Sequence, residues 1–348
     1  MTAGAPRFGS LNVARASLAF AVLLYHLGGT IALEKYFDIH LFARLFGFGE
    51  ARIPFFFVLS GFVLKLAYAR HIGDPSQLPN YLWRRFIRLY PTFWIILLLV
   101  MSPAILFPGL RAAIPDDPWS ILKMFMLVTQ GPAEGNPTGA PVLIVAWTLH
   151  YEIAFALVLA AWIASRSLGT VVTLALVFNG IECASGECGV YRNFLASANM
   201  TYFALGAAAA WLARRSEPMP RATPLMWTAF AVYLFITFTA GDGPSGPIPT
   251  HFFFAGLACV ILMCLVRGES TRGEQTNAPW VRLLSDSSYA MYLLHFPIIS
   301  LVCKLVVHAG LTGWTGAVVA FVVAIAASLG SAIAFHVWIE RRVLAWRS

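Results

Sequence analysis

Long apolar windows recur along this chain, each set off from the next by a polar segment. Ten of them are candidate membrane-crossing helices, at about residues 11–33, 53–69, 86–107, 142–165, 168–181, 194–213, 225–240, 251–266, 285–307 and 314–338. The fifth window is short and the second only just long enough. The stretch from Ile121 to Val128 is apolar but too short to span, and reads as an interfacial or re-entrant helix. The first window is already span-length, so no cleavable leader is predicted. No repeat, low-complexity tract or appended soluble domain interrupts the pattern. The expectation is an all-α, multi-span bundle of about ten spans, with residues 1–348 forming a single integral-membrane domain.

Composition explains why the windows cannot be core helices of a soluble protein. The chain has 348 residues, 59% hydrophobic and 11% charged, with a mean hydropathy of +0.73. A soluble domain runs about 45–50% apolar and about 25% charged. One core of this length cannot bury that surplus, whereas ten spans of about 20 residues absorb about 200 of them. A soluble enzyme, a disordered chain and a nucleic-acid binder are excluded, and the bilayer becomes the first partner.

Charge then sets the orientation. The net +8 and the sequence pI of about 9.4 reflect an uneven distribution across alternate loops. One set of loops and span ends holds Arg7, Arg70, Arg84, Arg85, Arg88, Arg166, Arg214, Arg215, Arg221, Arg267, Arg272, Arg282, Arg341, Arg342 and Arg347. The other holds Lys35, Arg44, Arg52, Arg111, Lys123 and Arg192. Cytoplasmic loops carry the excess of Lys and Arg, so the first set faces inward and both termini are cytoplasmic. The longest outer connection, about 108–141, contains Asp116, Asp117 and Asn136 and reads either as a plain solvated loop or as a lid over an external substrate. Of the five cysteines, Cys259, Cys264 and Cys303 lie in apolar runs and read as small hydrophobes. Cys183 and Cys188 fall in an outer loop, where a disulfide staple is chemically permitted and two free thiols are the alternative.

Titratable groups inside spans are costly, so each is a candidate for function. Arg15 and His26 lie eleven residues apart on the first span, roughly 16 Å along the axis and on one face. Arg15 sits near the cytoplasmic entrance and His26 nearer the outer surface. Either alone reads equally as a snorkelling cation or a packed imidazole. At the start of the third span, WRRFIRLYPTFW, Arg85 and Arg88 share a helical face, as do Arg84 and Arg88. Guanidinium forks suit phosphate, while a plain positive-inside anchor has the same composition. The fourth span carries His150 and Glu152 at about the depth of His26. A carboxylate there needs a partner, and His26 or His150 would serve. Ser285, Ser288, Tyr292 and His295 form a stripe on the ninth span that reads as either a site or interhelical glue. Ser60 precedes Gly61 without the flanking glycine of a nucleophile elbow, so a small pair for close helix packing is the simpler reading. No metal-ligand spacing recurs among the eight histidines and no phosphate-binding glycine loop is present, so no metal is expected.

Five of these strings, in order, resemble the acyltransferase-3 family of bacterial membrane O-acyltransferases. They are ARASLAFAVLLYH with Arg15 and His26, FFFVLSGFVL around Ser60 and Gly61, RRFIRLYPTFW, WTLHYEIAF with Glu152, and SYAMYLLHFPI with Tyr289, Tyr292, His295 and Pro297. The chain departs from the family pattern where Asn12 stands near the place of an acidic residue before Arg15, where Ile153 follows Glu152, and where Glu50 and Arg52 place charge before FFFVLSGF. The resemblance implies a multi-pass protein of the bacterial inner membrane. It would transfer an acyl group, usually acetyl from cytoplasmic acetyl-CoA as co-substrate, to a hydroxyl of an extracytoplasmic carbohydrate or glycoconjugate. It assigns an essential role to His26 with Arg15 as partner, and donor binding to Arg85 and Arg88 with Arg15 helping. Glu152 is expected to orient the catalytic imidazole, with His150, Tyr292, His295 and Ser60 on the acceptor side. The alternative class is a carrier or flippase for a lipid-linked saccharide, which inverted repeats would favour. Acceptor, acyl chain and oligomeric state are not legible in the sequence.

Overall fold

The computed structural model describes residues 8–47, 51–103, 114–131, 138–186, 188–215, 222–239, 248–272 and 278–347. Arg7, Glu50, Arg111, Asn136 and Arg221, which entered the sequence reading, lie outside the described residues. Among the described residues every regular element is helical. In order they are α1 (Gly9–Ile31), α2 (Leu41–Phe46), α3 (Arg52–Tyr68), α4 (Leu78–Met101), α5 (Pro118–Phe125), α6 (Trp147–Ala164), α7 (Arg166–Ser185), α8 (Val190–Ala196), α9 (Ala198–Arg215), α10 (Ala222–Thr239), α11 (Ile248–Arg272), α12 (Pro279–Asp286), α13 (Ser288–His308), α14 (Gly313–Phe335) and α15 (Arg341–Leu344).

A helix stands at each of the ten positions that the apolar windows mark. Eight helical stretches are long and apolar enough to cross a membrane among the described residues. The two outside that group are α4, which holds Arg84, Arg85 and Arg88, and α9, which ends on Arg214 and Arg215. The short apolar stretch before residue 128 is a separate helix, α5, as its length predicts. Asp117 caps it by accepting a hydrogen bond from the Ser120 N–H at 2.8 Å. Bonds from the Ser120 side chain and backbone hold the Asp117 carboxyl below its usual range. Tyr90 and Trp94 of α4 donate to the carbonyls of Met126 and Phe125, at 3.0 and 2.8 Å, and tie down the other end of α5. The ninth window differs from expectation. Ser287 breaks it into α12 and α13, so Ser285 is on a different helix from Ser288, Tyr292 and His295. The hydroxyls of Ser287 and Ser288 turn back to the carbonyls of Leu284 and Ser285, the local competition that makes serine a poor helix interior residue.

The chain divides into two compact units. The first comprises Met1–Ala67 and Tyr202–Val337, the second Tyr68–Thr201 and Trp338–Ser348. In the first unit α1 packs against α13, α14, α12 and α11. Leu27 and Ile31 of α1 meet Ile299, Val302, Cys303 and Val306 of α13 and Ala317, Ala320 and Ala324 of α14 in one buried cluster. The alanines let the α14 backbone come close, which is how helices associate where lipid offers no hydrophobic drive. Contact between α3 and α9 is closer still. A Cβ on Gly61 would run into the Phe203 carbonyl, and one on Gly206 into the Val58 carbonyl. The two helices touch through reciprocal glycines, the packing role that the Ser60–Gly61 pair carries in the sequence. In the second unit α4 and α6 pack together, the buried Tyr81 hydroxyl donating to the Ala156 carbonyl at 2.9 Å, and α7 packs on α6 and α8.

Gly61→Ala and Gly206→Ala are therefore expected to destabilise the detergent-solubilised protein by about 1–3 kcal/mol each, the cost of overpacking. Gly256→Ala, in α11 with nothing near its would-be Cβ, should leave stability unchanged or raise it by up to about 1 kcal/mol. Thermal melts of the three variants check the contrast.

Candidate functional site

In the first unit the polar groups gather around His26. Helix α1 begins at Gly9 without a side-chain cap of its own. Its first amides are met instead by the buried carboxylate of Glu269, near the end of α11, which accepts from the N–H of Gly9 at 2.7 Å and of Ser10 at 2.9 Å. A carboxylate on a helix N-terminus satisfies otherwise orphaned donors and complements the dipole, so this contact anchors the helix bearing Arg15 and His26. The helix runs unbroken through both residues, which keeps them three turns apart on one face.

Around the His26 ring stand Tyr25, His295 and Phe296, with centroids 5.2, 5.2 and 5.4 Å away. His295 is 1% exposed and its Nδ1 lies 3.2 Å from the Met291 carbonyl. A carbonyl only accepts, so Nδ1 carries the proton and Nε2 is bare; that buried nitrogen has no hydrogen-bond partner among the described residues. Tyr292 joins the cluster, 5.9 Å from His295 and stacked on Phe56 at the same centroid distance. The structure thus brings together three residues that the sequence nominated separately, His26, Tyr292 and His295. Ser60 lies on the same α3 helix as Phe56, one turn further on.

Arg52 completes the cluster, and the sequence reading did not place it there. Its Nη2 is 3.5 Å from His26 Nε2, and its guanidinium carbon lies 3.8 Å over the Tyr25 ring. The start of α3 that carries it is held by Tyr233, whose hydroxyl donates to the Ala51 carbonyl. One signal was available in the sequence: a cation directly preceding an apolar span, where the family string has none.

In the second unit the RRFIR cluster separates by burial. Arg84 is exposed, while Arg85 and Arg88 turn inward, each toward a carboxylate. Arg85 Nη2 is 3.7 Å from Glu152 Oε2, with both side chains mostly buried. Arg88 Nη1 is 3.9 Å from Glu340 Oε1, and Glu340 is wholly buried. Glu152 belongs to this unit and His26 to the other; the Glu152 carboxylate has Arg85 within its own unit, on the neighbouring helix. His150 is buried two residues before it on α6. Glu340 is the residue that sequence reasoning missed. It ends a π-helical turn, His336–Glu340, and directly precedes Arg341 and Arg342, so in the sequence it looks like flanking charge on a cytoplasmic tail. Widened π turns put side chains where an α-helix would not, and they recur at functional positions.

Cys183 and Cys188 are joined in a disulfide, and Arg192 pairs with Glu182 and donates to Asn179 beside it, closing the turn between α7 and α8. Among the described residues no group of three or more His, Cys, Asp or Glu side chains is placed to hold a metal ion.

Comparison with known proteins bears on this geometry. Residues 8–336 match the family model of the acyltransferase-3 group, described as an acyltransferase domain. The chain is similar to the exopolysaccharide production protein ExoZ of Rhizobium meliloti (strain 1021), 26% identical over 315 residues that cover 86% of this chain and 90% of that one. It is also similar to Protein 2 in the picA locus of Rhizobium radiobacter, 32% identical over 185 residues, 48% of this chain and 95% of that protein. No solved structure matches it significantly.

Removing one partner of a buried ion pair leaves the other charge uncompensated. Arg88→Ala, which strands the wholly buried Glu340 carboxylate, should cost about 3–5 kcal/mol of stability, against under about 1 kcal/mol for Glu182→Ala in the exposed pair with Arg192. Melting curves of the two variants, purified side by side, give the comparison.

Proposed function

The chain belongs to the acyltransferase-3 family, and from that premise we propose that it is a multi-pass inner-membrane O-acyltransferase. It moves an acetyl or other short acyl group from cytoplasmic acyl-CoA to a hydroxyl of an extracytoplasmic polysaccharide. The similarity to an exopolysaccharide production protein supports the acceptor class. The observation that carries the chemistry is the His26 cluster, where a ring nitrogen in a membrane helix is surrounded by aromatic rings of the kind that receive sugars and by a second histidine. The ten spans of this reading are those of the apolar windows, and its inward termini those of the charge distribution.

In this reading neutral His26 is the general base. It takes the proton of the acceptor hydroxyl as the oxygen attacks the thioester carbonyl, then returns that proton to the departing thiolate. His295, with its bare Nε2, and Tyr292 hold the acceptor. Arg85 and Arg88 are the donor-phosphate residues, with Arg15 assisting, and Glu152 and Glu340 balance two of these charges while no phosphate is present. A phosphate that joins each guanidinium beside its carboxylate leaves no buried charge of either sign without a partner.

His26→Ala should abolish acyl transfer measured by mass spectrometry of cell-envelope glycans, with protein levels unchanged. Arg88→Ala combined with Glu340→Gln, which leaves no lone buried carboxylate, should raise KM for acetyl-CoA about tenfold or more, the worth of one hydrogen bond to a charged group. For Arg85 the informative variant is the double replacement Arg85→Ala with Glu152→Gln, which leaves no lone buried carboxylate. Normal transfer by His26→Ala, or unchanged acetyl-CoA binding in both arginine variants, would contradict the corresponding role.

A further inference from the structure

Arg52 takes no part in the steps above, yet its guanidinium lies 3.5 Å from the nitrogen to which the proton is assigned. A guanidinium only donates, so His26 Nε2 accepts and the ring proton must be on Nδ1. His26 is thereby held as a neutral imidazole with its lone pair directed at the edge of Arg52. The contact is long for a hydrogen bond, which runs about 2.7–3.2 Å between heavy atoms. An oxygen about 2.9 Å from both nitrogens closes a triangle on that base. A hydroxyl in that position donates to His26 Nε2 and accepts from the Arg52 N–H at once. Three further observations fit. The guanidinium plane is supported by Tyr25 at 3.8 Å, His26's neighbour in sequence. The Tyr233 hydroxyl fixes the carbonyl of Ala51, immediately before it. Buried His295, on the far helix of the cluster, offers a second bare nitrogen, so the group that enters between these side chains must itself bring O–H donors.

We propose that Arg52 is a second catalytic residue, binding the acceptor hydroxyl oxygen that His26 deprotonates and carrying the negative charge that develops on it. The proposal rests on the reading of His26 as base. The hydroxyl O–H bond breaks and its proton moves to Nε2. The oxygen, still hydrogen-bonded to the Arg52 N–H, forms its bond to the carbonyl carbon of the acyl thioester as the C=O π pair moves to the carbonyl oxygen, from which it returns to re-form the carbonyl when the thiolate leaves. The C–S bond then breaks, the thiolate takes the proton from His26, and ester and free thiol are released. Arg52 remains protonated throughout and exchanges only its hydrogen-bond partner. Charge appears on the attacking oxygen only as its proton leaves, after the neutral hydroxyl has bound, so the contribution of Arg52 falls on kcat rather than on binding.

The test uses the full chain in membranes, with acetyl-CoA as donor and base-treated envelope glycan, stripped of its esters, as acceptor. Arg52→Gln should lower kcat by about 10²–10³-fold, the usual loss on deleting one donor to a developing oxyanion, while KM for acetyl-CoA stays within twofold of the parent. Arg52→Lys keeps the charge but not the fork and should fall between. Free guanidinium ion, added to Arg52→Ala, should restore part of the lost rate and do nothing for His26→Ala. A merely structural arginine would show no such rescue. Arg52→Gln within twofold of parental kcat, or Arg52→Ala inert to guanidinium while folded by its melting curve, overturns the proposal. If His26→Ala is inactive in either case, the reading of His26 survives; if His26→Ala is active, that reading fails first.

Discussion

Charge is scarce in this protein, and where it enters the helical layer it is met by a specific partner. That constraint organises the molecule. An isolated ion in low dielectric costs several kcal/mol, so each buried charge dictates which helices must lie against one another. Glu269 fixes α1 to α11. Glu152 fixes α6 to α4, and Glu340 fixes the π-helical turn to α4. Apolar packing fills the intervening space, but leucine against leucine says little about register in a bilayer, whereas these polar contacts admit one arrangement.

The same pairing makes the second unit chemically poised. Arg85 and Arg88, the proposed donor-phosphate residues, each face a carboxylate, Glu152 and Glu340, rather than standing unmet. In the first unit His295 faces an acceptor-only carbonyl and His26 a donor-only guanidinium, and those roles set the two tautomers. Backbone carbonyl, guanidinium and aromatic face together leave two ring nitrogens bare within one cluster, an arrangement suited to an incoming hydroxyl.

Much of the fold was legible because hydrophobic windows measure helices directly: α1, α3, α6 and α13 stand close to where the apolar pattern marks them. The breaks were harder. Ser287 divides a continuous apolar run because its hydroxyl competes for the backbone, an effect that periodicity does not register. Of the two polar clusters, His26 and His295 in the first unit and Arg85 and Arg88 in the second were legible as costly residues in unlikely places. Arg52 and Glu340 were not, since both stand at helix ends, where a charge needs no explanation. Only their neighbours, His26 from α1 and Arg88 from α4, show what they do, and such pairings between distant segments lie outside what one sequence displays. Gly61 was legible as a packing residue, but its reciprocal partner Gly206 was not.

The contact between Glu269 and the first turn of α1 spans 260 positions of sequence. During synthesis α1 is made well before α11, so its leading amides wait for a carboxylate that arrives ten helices later. Until then water or lipid headgroups must satisfy them, and the depth of α1 is not yet set. The helix that carries the proposed base is thus locked in place only once α11 has been made, and the cluster around His26 is completed by segments far apart in the order of synthesis.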